Sequence, residues 1–231
     1  MPTSRYERAA RSAGYRTIAG LDEAGRGALF GPVFAAAVVL DPARPVRGLD
    51  DSKQLDPERR RVLAGRIRER AIAYGVGASD AFEIDRINIL EASRLAMLRA
   101  LDVLNRSLPA PCDYLLIDAV KLKVHVTQKP LIHGDARSFS IAAASILAKT
   151  ARDAAMSRWH AVFPEYGFIH NQGYGTPDHL AALDRVGPAW LHRFSFLPVR
   201  TAHRHAVWSG YPVAASAQTE LTFEGDLQGC R

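Results

Sequence analysis

The sequence predicts an α/β fold in which helices flank a mixed sheet. Segments typical of strands alternate with segments typical of helices along most of the chain. The first three strand candidates have short or modest connections, which favours an antiparallel portion of the sheet. With 231 residues, 48% of them hydrophobic and 23% charged, the chain can bury the core of one domain, with room for a small appendage.

The first third of the chain supplies three strands and a helix. Residues 16–25 and 31–40 are strand candidates joined by a glycine-rich turn, and residues 73–79 offer a third strand. Between them, Asp56 is a favourable N-cap and Pro57 suits the first helical position. We therefore expect an arginine-rich helix from this point to about residue 73.

The middle of the chain alternates helices with two short apolar strands. We expect an amphipathic helix from about residue 88 to 105, and strands over residues 112–120 and 129–135, each containing an aspartate at its apparent end. The serine start and alanine-rich body of residues 138–159 predict a helix that approaches the sheet closely. The last twenty or so residues show little periodicity, so we expect a flexible tail.

Composition narrows the class of protein. No apolar run approaches the roughly 20 residues of a membrane-spanning helix, and the N-terminus has no apolar stretch followed by a cleavage site. Cys112 and Cys230 lie far apart, which argues against a disulfide framework and a CxxC metal site. We expect a cytoplasmic protein. Its formal charge of +6 suits a polyanionic partner, although charge alone is weak evidence.

Three acids fall where a predicted strand gives way to a loop: Asp22, Asp118 and Asp135. This edge of an open sheet is where functional sites assemble, so we expect the three side chains to converge. No histidine or cysteine has zinc-like spacing, and carboxylate oxygens suit magnesium or manganese. In a basic protein, such a cluster indicates two-metal hydrolysis of a phosphodiester.

The pair Asp22-Glu23 precedes Gly25-Arg26-Gly27 within an otherwise apolar segment. Adjacent buried carboxylates repel each other, and bound metal ions would offset that repulsion. Neighbouring residues on a strand point to opposite faces, so we expect the strand to end before Glu23, with the glycines allowing this departure. The alternative is that the pair consists only of polar turn residues, which the glycines and the two further acids disfavour.

Five segments carry a resemblance to a known family. They are "GLDEAGRGALFGPV" (20–33), "DDSKQL" (50–55), "LLIDAV" (115–120), "GDARSFSIAAASILAKTARD" (134–153) and "GYGTPDHLAAL" (173–183). In this order, and over roughly residues 17–198, they resemble the successive motifs of ribonuclease HII.

The resemblance implies a ribonuclease H-like mixed five-stranded sheet with a helical C-terminal portion. The catalytic domain would cover residues 17–200, after an N-terminal extension (1–16) and before a flexible tail (201–231). It further implies an endonuclease that cuts the RNA strand of RNA/DNA hybrids and cuts 5′ of single ribonucleotides in duplex DNA. The products would carry 3′-hydroxyl and 5′-phosphate ends.

The resemblance also implies roles for individual residues. Recognition of the ribose 2′-hydroxyl is a physically sensible role for a glycine-lined turn, because that group alone distinguishes a ribonucleotide from its deoxy counterpart. Metal-bound water needs no separate base, so His133 is better interpreted as a strand or second-layer residue. The implied metal ligands and catalytic residues, acting with Mn²⁺ or Mg²⁺, are Asp22, Glu23, Asp118 and Asp135. By the same resemblance, the sugar would be recognised by Gly25, Arg26 and Gly27, and a neighbouring sugar would stack on Tyr174. Phosphate contact is implied for Ser52 and Lys53 of the Asp51-Ser52-Lys53 segment.

Other candidates have competing interpretations. Asp153 follows Lys149 by four residues on a predicted helix, so an ion pair is favoured over a fifth metal ligand. Tyr174 without the resemblance would be a packed aromatic residue, and its flanking glycines favour an exposed turn. The arginines of the second predicted helix are interpreted as a solvated face rather than a DNA contact; they are Arg59, Arg60, Arg61, Arg66, Arg68 and Arg70.

One departure from the family pattern lies beside Tyr174. The family commonly has histidine and lysine where this chain has Asn171 and Gln172. We therefore expect a positive charge near Tyr174 to be missing, which puts phosphate contacts there in doubt.

Two alternative functions remain open at this point. Ribonuclease HIII shares the acids but typically carries an extra N-terminal domain, and only 21 residues precede Asp22 here. A catalytically idle hybrid-binding module would require the loss of at least one acid, and all four are present. We expect a monomer that acts on hybrids and ribonucleotide-containing duplexes without a membrane, and the sequence leaves a recruiter of the replication-clamp type open.

Overall fold

A five-stranded mixed sheet forms the centre of the protein. The computed structural model describes residues 2–208, with only the backbone of residues 205–208. The strand order is β3-β2-β1-β4-β5, with β1–β2 and β2–β3 antiparallel and β1–β4 and β4–β5 parallel. This arrangement confirms the predicted mixed sheet and its antiparallel early portion. The strands are β1 (Ile18–Ala24), β2 (Val33–Val39), β3 (Ala73–Ser79), β4 (Tyr114–Asp118) and β5 (Thr127–Leu131).

Helices surround this sheet, and the three long ones predicted from the sequence are confirmed. The second helix starts as expected at Asp56, whose side chain accepts a hydrogen bond from the Arg59 amide. The helices are α1 (Arg5–Ser12), α2 (Pro57–Arg70), α3 (Ala81–Ile87), α4 (Ile89–Arg106), α5 (Phe139–Val162), α6 (Phe168–Asn171), α7 (Pro177–Val186) and α8 (Leu197–Trp208), with a short 3₁₀ helix at Pro164–Tyr166.

The two faces of the sheet are covered by different helices. On one face α4 packs on β2 and β3, and on the other α5 packs on β1 and β2, with α2 packed against α5 and β2. A Cβ atom at Gly20 would lie 2.1 Å from the carbonyl carbon of Ser140, so α5 lies directly on the backbone of β1. The alanine-rich character of α5 permits this close approach, as the sequence predicted, and it sets the height of α5 relative to the end of β1.

The C-terminal helices build a third core around Phe30. The Phe30 and Phe168 ring centroids are 4.0 Å apart, and Tyr166, Leu183 and Val199 belong to the same cluster. This cluster confirms the helical C-terminal portion. It also anchors the segment between β1 and β2 against α5–α8, because Phe30 lies in that segment.

Two strand boundaries differ from the prediction. β1 continues through Ala24, with Glu23 paired opposite Ala35, so the expectation that the strand ends before Glu23 was wrong. β5 ends at Leu131, so Asp135 lies in the following turn rather than at a strand end. The predicted strand lies too far along the chain, because β5 is an exposed edge strand without a continuous apolar run. An edge strand also tolerates Pro130.

The turn after β5 also changes the interpretation of His133. This residue has φ +53° and is exposed. The strand interpretation of His133 was therefore wrong.

Both ends of the expected catalytic domain carry further structure. α1 lies within the expected N-terminal extension, and its buried Glu7 accepts hydrogen bonds from Ser138 and Ser140 at the start of α5. α8 continues to Trp208, past the expected boundary at residue 200. The remaining part of the expected tail, residues 209–231, lies outside the described residues. Within residues 2–208, no helix combines the length and the apolar character needed to cross a membrane.

Candidate active site

Four acids meet at one edge of the sheet. Asp22 and Glu23 lie near the end of β1, and Asp118 is the last residue of β4, which runs parallel to β1. The Gly134 amide donates a 2.7 Å hydrogen bond to Oδ1 of Asp118, which holds the turn that carries Asp135 against β4. Consecutive side chains of β1 leave the strand on opposite faces. Asp118, on the neighbouring strand, lies within electrostatic range of both Asp22 and Glu23.

The electrostatics of the cluster favour a bound cation. Burial, followed by repulsion from Glu23 and Asp118, raises the pKa of Asp22 well above its usual value. Burial also raises the pKa of Glu23, against the attraction of Arg26, whose Nη1 lies 3.2 Å from Glu23 Oε1. The pKa of Asp135 is raised by burial and by the negative charge of Asp51. A divalent cation would offset these penalties.

The donor set fits magnesium or manganese. All four side chains offer oxygen, and Glu23 Oε2 is buried with no hydrogen-bond partner. In residues 2–208, no three acids, histidines or cysteines are grouped closely enough to enclose one ion. An open set of this kind matches Mg²⁺, which binds through one or two carboxylates together with water and substrate phosphates rather than in an all-protein cage.

Asp22 lies beside Ser145 on α5. The Ser145 hydroxyl offsets part of the rise that burial produces in the pKa of Asp22, and Oδ1 of Asp22 accepts the Glu23 amide at 2.7 Å. The Oγ atoms of Ser145 and Ser52 are 2.9 Å apart, and both residues are buried. The hydroxyl of Ser52 is thus engaged inside the protein, which leaves the exposed Lys53 as the group in this segment that is open to a substrate.

An internal arginine fixes the segment that carries Lys53. Arg60 donates to the carbonyls of Ser52 and Leu55 at 3.1 and 2.9 Å, and its Nη1 lies 2.9 Å from Asp153. The interpretation of Arg60 as part of a solvated face was therefore wrong, because α2 turns this side chain inward. Asp153 also pairs with Lys149, which confirms the predicted ion pair.

The segment from Gly25 to Pro32, called here the 25–32 loop, lies beside the acids. Gly25 has φ +93°, and a Cβ atom there would lie 2.6 Å from Nε of Arg152, so glycine is required on both counts. A Cβ atom at Gly27 would meet no atom within 4 Å. This open space, called here the Gly27 notch, allows another molecule to approach the backbone closely.

Tyr174 stands next to the 25–32 loop. Tyr174 forms a β-bridge with Ala28, and the Leu29 amide donates to the Gly173 carbonyl at 2.8 Å. The guanidinium carbon of Arg152 lies 5.5 Å from the centre of the Tyr174 ring. Asn171 and Gln172 carry no charge, but the fully buried Arg152 supplies a cation next to Tyr174.

The two residues that depart from the family pattern shape the turn before Tyr174. Asn171 is buried, and its side chain accepts the Gly173 amide at 2.8 Å and donates to the Tyr166 carbonyl at 2.6 Å. The Gln172 carbonyl accepts a 2.7 Å hydrogen bond from Arg152. Sequence reasoning missed Arg152 because its contacts come from distant parts of the chain.

A pair of histidines supports Tyr174 from the other side. Nδ1 of His179 lies 2.9 Å from the Tyr174 carbonyl, and the Nε2 atoms of His179 and His192 lie 3.0 Å apart. The Ala189 amide donates to Nδ1 of His192. These bonds form one directed chain only if both rings are neutral, and burial does lower the pKa of His179 and lowers that of His192 to about 3.

Comparisons with known proteins agree with this architecture. Residues 19–199 match the family model described as Ribonuclease HII. The chain is 59% identical to Ribonuclease HII of Solibacter usitatus (strain Ellin6076), over 93% of this chain and 90% of the relative. It is 53% identical to Ribonuclease HII of Koribacter versatilis (strain Ellin345), over 85% of this chain and 76% of the relative.

Solved structures show the same fold. Ribonuclease H2 from Pyrococcus horikoshii OT3 superposes with a TM-score of 0.67 at 26% identity, over 82% of this chain and 98% of that one. Bst-RNase HIII in complex with Mn²⁺ gives a TM-score of 0.69 at 22% identity, over 86% of this chain and 72% of that one, which shows the fold alone. The family match and the two sequence relatives show that this chain belongs to the ribonuclease HII family, the metal-dependent endoribonucleases that hydrolyse phosphodiester bonds.

Proposed function

We propose that this enzyme cuts the RNA strand of RNA/DNA hybrids and incises 5′ of single ribonucleotides embedded in duplex DNA, leaving 3′-hydroxyl and 5′-phosphate ends. The observation that carries the proposal is the position of the Gly27 notch. It lies four residues after Glu23, between Arg26, which pairs with Glu23, and Ala28, which forms a bridge with Tyr174. A sugar in the notch would therefore place its phosphate beside the carboxylates.

The proposed metal ligands are Asp22, Glu23, Asp118 and Asp135, and the ions are Mg²⁺ or Mn²⁺. When bound, a pair of such ions supplies an activated water and stabilises the charge that develops on the leaving 3′-oxygen. The protein's own contribution is placement: Ser145 orients Asp22, and the Gly134 amide orients Asp118.

Lys53 is proposed to attract the substrate backbone. Its exposed ammonium acts electrostatically on Glu23 and Asp135, so it lies at the rim of the acid cluster. A phosphate drawn to Lys53 would stand beside the metal ligands. Such a contact carries no sequence information and weakens as salt rises.

Selection of the sugar is proposed to depend on the 25–32 loop and Tyr174. The backbone around Gly27 is open, and the Arg26 side chain is 41% exposed. A 2′-hydroxyl can both donate and accept, so exposed backbone groups can recognise it. The Tyr174 ring lies against the Arg152 guanidinium, and the histidine pair holds the Tyr174 backbone carbonyl, so the ring offers a rigid face for a neighbouring sugar.

Cleavage of matched duplexes tests the proposal. The enzyme is incubated with Mg²⁺ or Mn²⁺ and with three labelled substrates: duplex DNA with one ribonucleotide, an RNA/DNA hybrid, and the all-deoxy duplex. We expect incision of the first two substrates and no cut in the third. DNA ligase reseals only a nick with a 5′-phosphate and a 3′-hydroxyl, so resealing would identify these ends. Failure of the folded enzyme to cut the single-ribonucleotide duplex with either ion would contradict the proposal.

An Asp118→Asn variant provides the matched control. Its side-chain oxygen can still accept the Gly134 amide, so the turn should keep its position. We expect this variant to fold and bind the duplex but to lose cleavage. Binding without turnover in the unmodified enzyme would instead favour the idle binding module.

A monomeric, cytoplasmic enzyme belongs to the same proposal, and light scattering would test the oligomeric state. One solved relative is the PCNA:RNase HII complex from Archaeoglobus fulgidus, with a TM-score of 0.66 at 23% identity over 80% of this chain and 96% of that one. Direct measurement of binding to a sliding clamp would test whether this chain has a recruiter of the clamp type.

A further inference from the structure

Two arginines, Arg152 and Arg193, are fully buried beneath the 25–32 loop. Each has a relative exposure of 0%. Within residues 2–208, neither has a carboxylate inside the 4.0 Å range of an ion pair. A buried charge without a counter-ion is costly, so its hydrogen-bond partners indicate why the fold keeps it.

Arg152 joins two loops of the candidate active site. It donates to the carbonyl of Pro32 at 2.7 Å and to that of Phe30 at 3.4 Å, both in the 25–32 loop. It also donates to the carbonyl of Gln172 at 2.7 Å, two residues before Tyr174. One planar guanidinium thus sets the distance between the 25–32 loop and the turn that carries Tyr174.

Arg193 holds the same loop at its other end. It donates to the carbonyl of Gly31 at 3.0 Å and to that of Arg26 at 2.8 Å, directly beside the Gly27 notch. Its own amide donates to the carbonyl of Leu29 at 2.8 Å. All the carbonyls to which the two side chains donate belong to the 25–32 loop and the Tyr174 turn.

These contacts do not use all the hydrogen-bonding capacity of the two side chains. Nε of Arg152 and Nη2 of Arg193 are buried without partners. Burial and the nearby charge of Arg152 lower the pKa of Arg193 to about 9, so Arg193 stays cationic at neutral pH. Two positive charges therefore lie under the surface that a substrate phosphate would reach.

We propose that Arg152 and Arg193 are positioning residues that hold the 25–32 loop and Tyr174 in one preformed arrangement and thereby set the discrimination between ribose and deoxyribose. The inference rests on the proposed function. A lysine ammonium is a single point donor and cannot hold carbonyls of two loops in a fixed plane. Conversion to lysine therefore keeps the charge and removes the geometry.

Binding in a non-cleaving background tests the proposal. In Asp118→Asn enzyme with Mg²⁺, Kd is measured for a duplex with one ribonucleotide and for the all-deoxy duplex. We expect Arg152→Lys and Arg193→Lys each to reduce the ratio of the two Kd values by about tenfold, because a small displacement of the loop removes an oriented contact. The affinity for the all-deoxy duplex should change little.

A matched control separates this role from plain stability. Arg99 also donates to a backbone carbonyl, that of Ala78 at 2.8 Å, and pairs with Glu83 away from the 25–32 loop. Arg99→Lys should lower the melting temperature and leave the Kd ratio unchanged.

The outcomes separate the inference from the function on which it rests. An unchanged Kd ratio in folded Arg152→Lys and Arg193→Lys enzymes would overturn the inference. If one variant fails to fold, hydrogen exchange at the amides of the 25–32 loop is measured in the other variant and in the parent enzyme. Equal protection in these two proteins would overturn the inference. Absence of ribonucleotide incision by the unmodified enzyme would instead remove the proposed function.

Discussion

The Oγ atoms of Ser52 and Ser145 lie 2.9 Å apart in a buried contact that ties the segment before α2 to α5, directly beneath Asp22. Ser145 in turn offsets part of the rise that burial produces in the pKa of Asp22. Asp22 thus depends on two elements far apart in sequence, and both contribute through a single hydroxyl. This arrangement gives the first prediction.

Ser145→Ala should raise the Mn²⁺ concentration needed for half-maximal cleavage by about tenfold, because outer partners orient metal-binding carboxylates. Titration of cleavage rate against Mn²⁺ measures the effect. Ser157→Ala is the control, since Ser157 on the same helix bonds only to the Asp153 carbonyl at 3.1 Å. Equal Mn²⁺ requirements in both variants would show that Ser145 does not orient Asp22.

Gly27→Ala should leave stability intact and reduce cleavage of the single-ribonucleotide duplex. The methyl group meets no protein atom and would occupy the Gly27 notch, where displacement of a substrate costs up to about 100-fold in rate. Gly25→Ala should instead destabilise the protein by about 1–3 kcal/mol, because of its positive φ and the contact with Arg152. Urea unfolding and kcat/KM separate the two effects, and full activity of Gly27→Ala would argue against sugar recognition at the notch.

Asp153→Asn should destabilise the protein without changing its metal requirement. The substitution leaves Lys149 and the mostly buried Arg60 without their carboxylate, at an expected cost of about 1–3 kcal/mol. Denaturant unfolding measures the cost, and Mn²⁺ titration measures the metal requirement. A large rise in the Mn²⁺ needed for activity would place Asp153 among the metal ligands.

The histidine pair should make stability fall in mild acid. The pKa of His192 is about 3 in the folded protein against 6.5 ordinarily, so between these values the unfolded chain binds more protons and the folded state loses stability as pH falls. Below pH 6.5, the contribution of His192 to the loss of unfolding free energy should approach, and not exceed, about 1.4 kcal/mol per pH unit. Urea unfolding from pH 7.5 to 5 measures the slope, which His192→Gln should reduce and the exposed His170→Gln should preserve. Equal slopes in all three proteins would exclude the pair as the cause.

Apolar pattern predicted the strands and α4, whereas the N-cap residues and composition predicted α2 and α5. The acids were also predictable, since the ends of β1 and β4 lie at the same sheet edge. The capping box of Asp80 and Glu83 is a local sequence signal for α3, a helix that was not predicted. α6 has four residues, too few to show a period, whereas α7 had a readable start in its N-cap Thr176 and in Pro177 at the first helical position.

The residues that shape the 25–32 loop could not be predicted from local pattern. Arginine is mostly exposed in proteins, so nothing near Arg152 or Arg193 in sequence announces complete burial. Their partner carbonyls lie 20 to 167 residues away along the chain. The contact between His179 and His192 likewise appears only when α7 and the segment before α8 pack together.

Phe30 makes the 25–32 loop depend on the C-terminal helices. Its ring packs among side chains contributed by the last quarter of the described sequence. Removing that quarter would leave Asp22, Glu23, Asp118 and Asp135 in the chain and would expose the Phe30 ring to water. Under the proposed function, such a shortened enzyme would keep its metal ligands and lose the support of the loop that selects the sugar.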